Sequence, residues 1–89
     1  MPYRAPLDDY NFLFDHVIGL DQVRKTDRFE EATDDLTRAI LTEAGKLCEE
    51  VMYPVQRAGD LTPSYLENGV VRTADGYADA FKAIAEGGW

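Results

Sequence analysis

A single cysteine, a single histidine and nine basic residues are all this 89-residue chain has of those types. Each scarcity excludes something. With Cys48 alone there is no internal disulfide framework, which fits a reducing compartment. Nine lysines and arginines against seventeen acidic residues leave a net charge of −8. Nucleic acid needs clustered cations on its phosphates, so it is not an expected partner. Anionic membrane surfaces attract basic segments and are disfavoured for the same reason. The opening MPYRAPLDDY lacks the apolar core of a secretion signal. No apolar run approaches the roughly 20 residues of a membrane-spanning helix. No membrane insertion is expected, and the chain is assigned to the cytoplasm. Repeats and low-complexity tracts are absent too.

What is present is foldable but small. Hydrophobic residues make up 45% of the chain, too many for a disordered segment. A chain of this length buries roughly 60–65% of its unfolded surface, so its core is marginal. Met1 to Pro6 reads as an extended arm, with Pro2 and Pro6 disfavouring helix before them. Tyr10, Leu13, Phe14 and Val17 then recur at helical steps. They predict a short helix from about Asp9 to Ile18, capped by Asp8 or Asp9 and stopped by Gly19. Phe12 and Ile18 lie off that stripe, which predicts packing on more than one neighbour. Residues 20–32 read as a helical turn capped by Asp21, then a short helix or irregular connector with Asp27 and Glu30 at capping-box spacing.

The clearest element is TDDLTRAILTEAGKLCEEVMYPVQRAG. Leu36, Ile40, Ala44, Leu47 and Val51 hold one helical face, widened by Leu41, Cys48 and Met52. Thr33 or Asp34 suits the N-cap, and Asp34 and Asp35 suit the positive end of the helix dipole. Pro54 removes a backbone donor, which predicts a kink or break near residues 50–52. Helix resumes through Arg57 and ends at Gly59. Asn68-Gly69 is the dipeptide of a two-residue hairpin turn. It admits short strands at 65–67 and 70–72, which must lean on the helices because a lone hairpin is marginal. A last helix is capped by Thr73, turns Tyr77, Ala80, Phe81 and Ile84 one way, and ends at Gly87 and Gly88. Trp89 then reads as the first residue of a next element. The fold class is mainly all-α, a small helical bundle with that short β-hairpin near residues 65–72.

Little here carries chemistry. His16 neighbours Asp15, but structural zinc needs about four ligands, mostly Cys and His. A surface or helix-terminal histidine is the expectation. Cys48 lies on the flank of an apolar stripe, where cysteine packs as a small hydrophobe. The acidic pairs Asp8-Asp9, Glu30-Glu31, Asp34-Asp35 and Glu49-Glu50 are sequence neighbours that do not face each other on a helix, so they read as caps and solvated faces. There is no phosphate-binding glycine loop, and nothing brings together a nucleophile, a base and oxyanion donors. No catalytic, cofactor-binding or metal-ligating residue is assigned. The many aromatic side chains are read mostly as core, some covering a larger partner surface.

Three stretches resemble a known family. YRAPLDDYNFLF resembles the extra leading segment of a bacterial branch of the acyl-CoA dehydrogenases. ILTEAGKLCEEVMYPVQRAGD is similar to the first long helix of that fold, and LENGVVRTADGYADAFKAIAEGGW to the stretch after that helix. The resemblance implies residues 1–32 as an N-terminal extension with a short helix. It implies 33–89 as the first helices of an incomplete N-terminal helical domain. Enzymes of that family bind FAD and remove a hydride and a proton from the α and β carbons of an acyl-CoA thioester, with a C-terminal glutamate as base. Those segments are not in this chain, so the resemblance carries no catalytic or flavin residue onto it. FAD and the acyl-CoA substrate belong to the full-length parent. In the family these helices help wall the acyl-chain pocket and build subunit contacts, and the resemblance leaves open which of Leu47, Val51, Tyr77 or Phe81 would do either here.

Helices cut from their domain keep unpartnered apolar faces, which predicts a homodimer or higher oligomer. Three readings compete. One is a portion of an acyl-CoA dehydrogenase, inactive alone. Another is a freestanding helical oligomerisation or interaction module. The third, a small enzyme in its own right, has least support in the residues.

Overall fold

The computed structural model describes residues 2–89; Met1, the first residue of the expected arm, lies outside the described residues. The chain forms two compact units. One is Arg4–Lys46, and the other is Leu47–Trp89 with the amino-terminal residues through Tyr3.

In the Arg4–Lys46 unit the helices are α1 (Leu7–Phe12), α2 (Leu20–Arg24) and the greater part of α3 (Asp34–Leu47). A π-helical segment, Leu13–Ile18, continues α1, and a 3-10 turn, Asp27–Phe29, comes after α2. The predicted first helix is therefore present, but it starts at Leu7. Neither Asp8 nor Asp9 caps it, because Pro6 occupies that position and makes no side-chain bond. Both aspartates fall in the first turn, where their charge favours the positive helix end. Gly19 does stop the helix, with φ 69° and its N–H donated to the Phe14 carbonyl. Gly19 also precedes α2 in the cap position, so Asp21 lies inside the first turn instead of capping it. The capping box at Asp27 and Glu30 does not form, since Thr26 is the flanking residue of the 3-10 turn and no side-chain cap bond is made. Thr33 caps α3 as expected, its hydroxyl accepting the Leu36 N–H at 3.3 Å.

Burial in this unit departs from the stripe reading. Of the expected stripe, Tyr10, Leu13 and Val17 are exposed and only Phe14 is half-buried, and Phe12 and Ile18 off it are exposed as well, so the first helix covers Leu7 and Phe14 in part and does not pack on two sides. On α3, Leu36 and Ile40 are exposed, while Leu41 and Ala44 are half-buried and Gly45 is buried. The covered side is rotated toward Leu41 and Gly45 because the amino-terminal stretch of chain lies there. A Cβ at Gly45 would stand 3.3 Å from Ala5 Cβ and 3.4 Å from Leu7 Cδ2.

In the other unit, the π-helical segment Cys48–Met52 leads into α4 (Tyr53–Leu61), and then come β1 (Tyr65–Glu67), β2 (Val70–Arg72) and α5 (Tyr77–Glu86). The π step stands where Pro54 predicts a defect. Pro54 cannot donate to the carbonyl one turn back, and the ladder widens so that the Tyr53 N–H reaches the Cys48 carbonyl. The helix then runs through Gly59, contrary to expectation, and ends at Thr62, whose N–H bonds Ala58 O at 2.9 Å. Gly59 serves a close approach instead of a stop, since a Cβ there would run into the ring end of Tyr77.

The hairpin forms with Tyr65 opposite Arg72, Leu66 opposite Val71 and Glu67 opposite Val70. Asn68 and Gly69 take φ 51° and 78°, the left-handed pair such a turn requires. It does not lean on the helices, for every residue of both strands is exposed. Thr73 does not cap α5. Gly76 does so at φ 90°, after a turn in which the Tyr77 N–H bonds Ala74 O. Gly87 and Gly88 end that helix as expected. The buried apolar residues among those described are Ala74 (6% exposed) and Ala80 (8%).

Candidate functional site

An apolar opening lies within the Leu47–Trp89 unit, between the α4 helix with its π-helical lead-in and α5. Met52 and Val55, with Gln56 beside them, line one wall. Tyr77, Ala80, Phe81 and Ile84 line the other. The groove has a volume of about 320 Å³. Its wall on α5 comes from helical spacing, because residues 77, 80, 81 and 84 recur at i, i+3, i+4 and i+7. Two glycines let the walls come close. Tyr77 lies over Gly59, and Val55 Cγ1 would stand 2.7 Å from a Cβ at Gly76. Tyr77 supplies the only ionisable group in the lining, and Gln56 the only other polar side chain.

A second opening, about 380 Å³, is lined by Tyr3, Cys48, Met52, Tyr53 and Gln56. Its aromatic wall is a stacked pair, Tyr3 and Tyr53, with ring centroids 6.2 Å apart and planes 26° apart. Cys48 is a free, half-buried thiol there. A base within reach would be needed to make it a nucleophile, and the lining holds no histidine or carboxylate.

His16 is exposed at the end of the Leu13–Ile18 segment, its ring 5.1 Å from that of Phe12. Among the described residues no three His, Cys, Asp or Glu side chains gather as a metal site would require. Of the acidic pairs, Asp34 meets Arg24 at 2.7 Å. Asp15, outside those pairs, meets Arg38 at 2.8 Å. Both are struts between helices. Of the four candidate wall residues, Tyr77 and Phe81 share the groove, whereas Leu47 and Val51 are half-buried and do not line it. Val55 and Met52 complete the groove. Met52 reads from the sequence as a flank of the long helix, and Val55, beyond the proline, has no face assigned by periodicity. Its i, i+4 relation to Gly59 is the signal that pairs it with the closely packed side.

The groove can hold an apolar chain or side chain, with Gln56 and Tyr77 as the polar side chains of its lining. Such a lining does not fit a flavin. Among the described residues no helix is long and apolar enough to cross a membrane.

No protein-family model matches the chain. It is 35% identical, over all 89 of its residues, to the 3-methylmercaptopropionyl-CoA dehydrogenase of Ruegeria pomeroyi (strain ATCC 700808 / DSM 15171 / DSS-3). The chain spans 15% of that relative's length. From end to end, then, it is similar to part of an acyl-CoA dehydrogenase, as an N-terminal segment of such an enzyme would be.

Proposed function

We propose that the chain is the N-terminal helical portion of an acyl-CoA dehydrogenase and is not catalytic by itself. The observation that carries this is the 35% identity running the whole length of the chain against a small share of a much longer dehydrogenase. The mainly helical fold with its short hairpin agrees with it. The parent reaction is α,β-dehydrogenation of an acyl-CoA thioester, in which bound FAD accepts the hydride. Within such a parent this chain supplies apolar helix surface, with Tyr77 and Phe81 available to an acyl chain. In the 1–32 and 33–89 division, the first part is an extension and the second the opening of the helical domain. The parent works in the cytoplasm. The chain alone joins its own copies through its exposed apolar faces.

A chimera tests this reading. The matching 15% of the Ruegeria relative is replaced by this chain. The chimera is expected to purify yellow with flavin and to reduce an electron acceptor in the presence of its thioester substrate. The 89-residue chain alone is expected to do neither. A soluble, folded chimera without flavin overturns the assignment to this enzyme class. Flavin absorbance and thioester-dependent turnover by the chain alone overturn its non-catalytic role.

The freestanding interaction module keeps one observation in its favour. Leu61, Leu66, Val71 and Phe81 are each about two-thirds exposed or more, apolar side chains that a partner could cover.

A further inference from the structure

The walls of the groove meet at two glycines, with Tyr77 over Gly59 and Val55 over Gly76. Neither contact leaves room for another atom. A Cβ at Gly59 would run into the ring end of Tyr77, and one at Gly76 would stand 2.7 Å from Val55 Cγ1. The groove therefore depends on which side of α4 faces α5. That is a matter of helical phase, and the phase of α4 is set just before it begins.

Cys48–Met52 is wound as a π-helix, and the Tyr53 N–H bonds the Cys48 carbonyl, five residues back. An α-helix closes the same bond over four residues. The π step thus takes in one residue more, and everything after it lags by roughly 100° about the axis. With α winding throughout and Leu47 held in place, Ala58 would stand where Gly59 now stands, and residue 54 where Val55 stands. The Ala58 methyl would then meet Tyr77 at a place where only a glycine fits. The winding by itself is not the signal. Leu13–Ile18 is π-helical too, but that helix stops at Gly19 and carries no wall beyond it. After Cys48–Met52 the helix goes on for the nine residues of α4, Val55 and Gly59 among them. Pro54 is the second residue of α4, where an α-helical ladder would need its N–H for the Glu50 carbonyl.

We propose that Pro54 is the positioning residue of this groove. By holding the π step in place it turns Val55 and Gly59 toward α5. The inference goes beyond the function proposed above, because it concerns how the groove is built, whatever occupies it.

Nuclear magnetic resonance of the 89-residue chain tests this. In the wild-type chain, nuclear Overhauser contacts are expected between the Tyr77 ring and the Gly59 α protons, and between the Val55 methyls and the Gly76 α protons. Two variants should treat them in opposite ways. Pro54→Ala restores the missing N–H, so the ladder can close over four residues. Both contacts should then be lost, while far-UV circular dichroism shows the helix kept. Deletion of Pro54 also lets the ladder close over four residues, but it removes the surplus residue as well. Val55 and Gly59 then keep their phase, and both contacts should persist. A proline that merely supported the helix would give the reverse order, because alanine suits a helix interior and a deletion ordinarily turns everything beyond it by about 100°. Urea unfolding adds a second readout. Gly59→Ala should lower the midpoint in the wild-type chain and raise it beside Pro54→Ala, where Tyr77 no longer lies over that position. Contacts absent from the wild-type chain or surviving in Pro54→Ala overturn the proposal. So does a deletion chain that is unfolded or has lost them, and so does a Gly59→Ala midpoint that falls equally in both backgrounds.

Discussion

In the Arg4–Lys46 unit, long polar side chains reach between short helices. Arg24 joins Asp34 and the Ala32 carbonyl, and Arg38 joins Asp15. In the Leu47–Trp89 unit the corresponding work falls to residues with almost no side chain. Gly59 admits Tyr77, Gly76 admits Val55, and Ala74 and Ala80 fill what little interior there is. Both are ways of joining helices when a full core is lacking. They differ in sensitivity. A polar strut loses one exposed interaction when cut, whereas a side chain packed directly onto a glycine backbone is displaced as soon as an atom is added there.

The largest effect should therefore come from adding a single methyl at Gly76. Its φ of 90° is one that side chains other than glycine rarely adopt, and the methyl would also meet Val55 Cγ1. Gly76→Ala is expected to cost about 2 kcal/mol in urea unfolding tracked by circular dichroism. An unchanged midpoint would mean that α5 does not depend on this turn.

Gly59→Ala should come next, and two terms oppose each other there. Alanine in place of a glycine in the last turn of α4 gains at most about 1 kcal/mol. The overlap with the Tyr77 ring costs about 1–3 kcal/mol. The net loss is expected to be about 1 kcal/mol. In a Tyr77→Ala background the overlap is gone, so the same substitution should become stabilising by at most about 1 kcal/mol. A loss of equal size in both backgrounds would show that Gly59 is not there for Tyr77.

These glycines also mark the limit of what is legible in the residues. Gly19, Gly87 and the Asn68-Gly69 turn stand where local chemistry places them, because a positive φ or a helix end is a short-range requirement. Pro54 is legible for the same reason, and the π step beside it is the local answer to a missing donor. Gly59 is not. Whether a glycine ends a helix or lets a ring approach it depends on what lies opposite, and Tyr77 is eighteen residues away in the sequence. The buried side of α3 is hidden similarly. Its apolar stripe points to Leu36 and Ile40, but Ala5 and Leu7 cover Gly45, a residue that carries no hydrophobic signal. The aspartate caps expected at α1 and α2 fail by a residue or two, since Pro6 and Gly19 hold the positions that start those helices. The groove is half legible: helical spacing points to Tyr77, Ala80, Phe81 and Ile84, and the wall beyond Pro54 is hidden by the change of phase that the π step introduces.

The smallest expected effects belong to the polar struts, and they separate from each other. Arg38 and Asp15 are both well exposed, with 48% and 34% of their side chains accessible. Such a pair contributes about 0–0.5 kcal/mol. Arg24 is only 19% exposed and divides its guanidinium between the Asp34 carboxylate and the Ala32 carbonyl. Arg24→Ala should cost about 1 kcal/mol, because it also leaves a backbone acceptor without its partner. Arg24→Lys tests that cause. A lysine ammonium keeps the charge but lacks the planar fork that serves two acceptors at once. It should recover less than half of the loss. Unfolding in about 1 M salt sharpens the contrast, since screening suppresses the exposed Arg38 pair and leaves the hydrogen bond to Ala32 largely intact. If Arg24→Ala and Arg38→Ala cost the same in low salt and both effects vanish in high salt, then Arg24 acts by charge alone, and the Arg4–Lys46 unit is held by its apolar contacts at Gly45 instead.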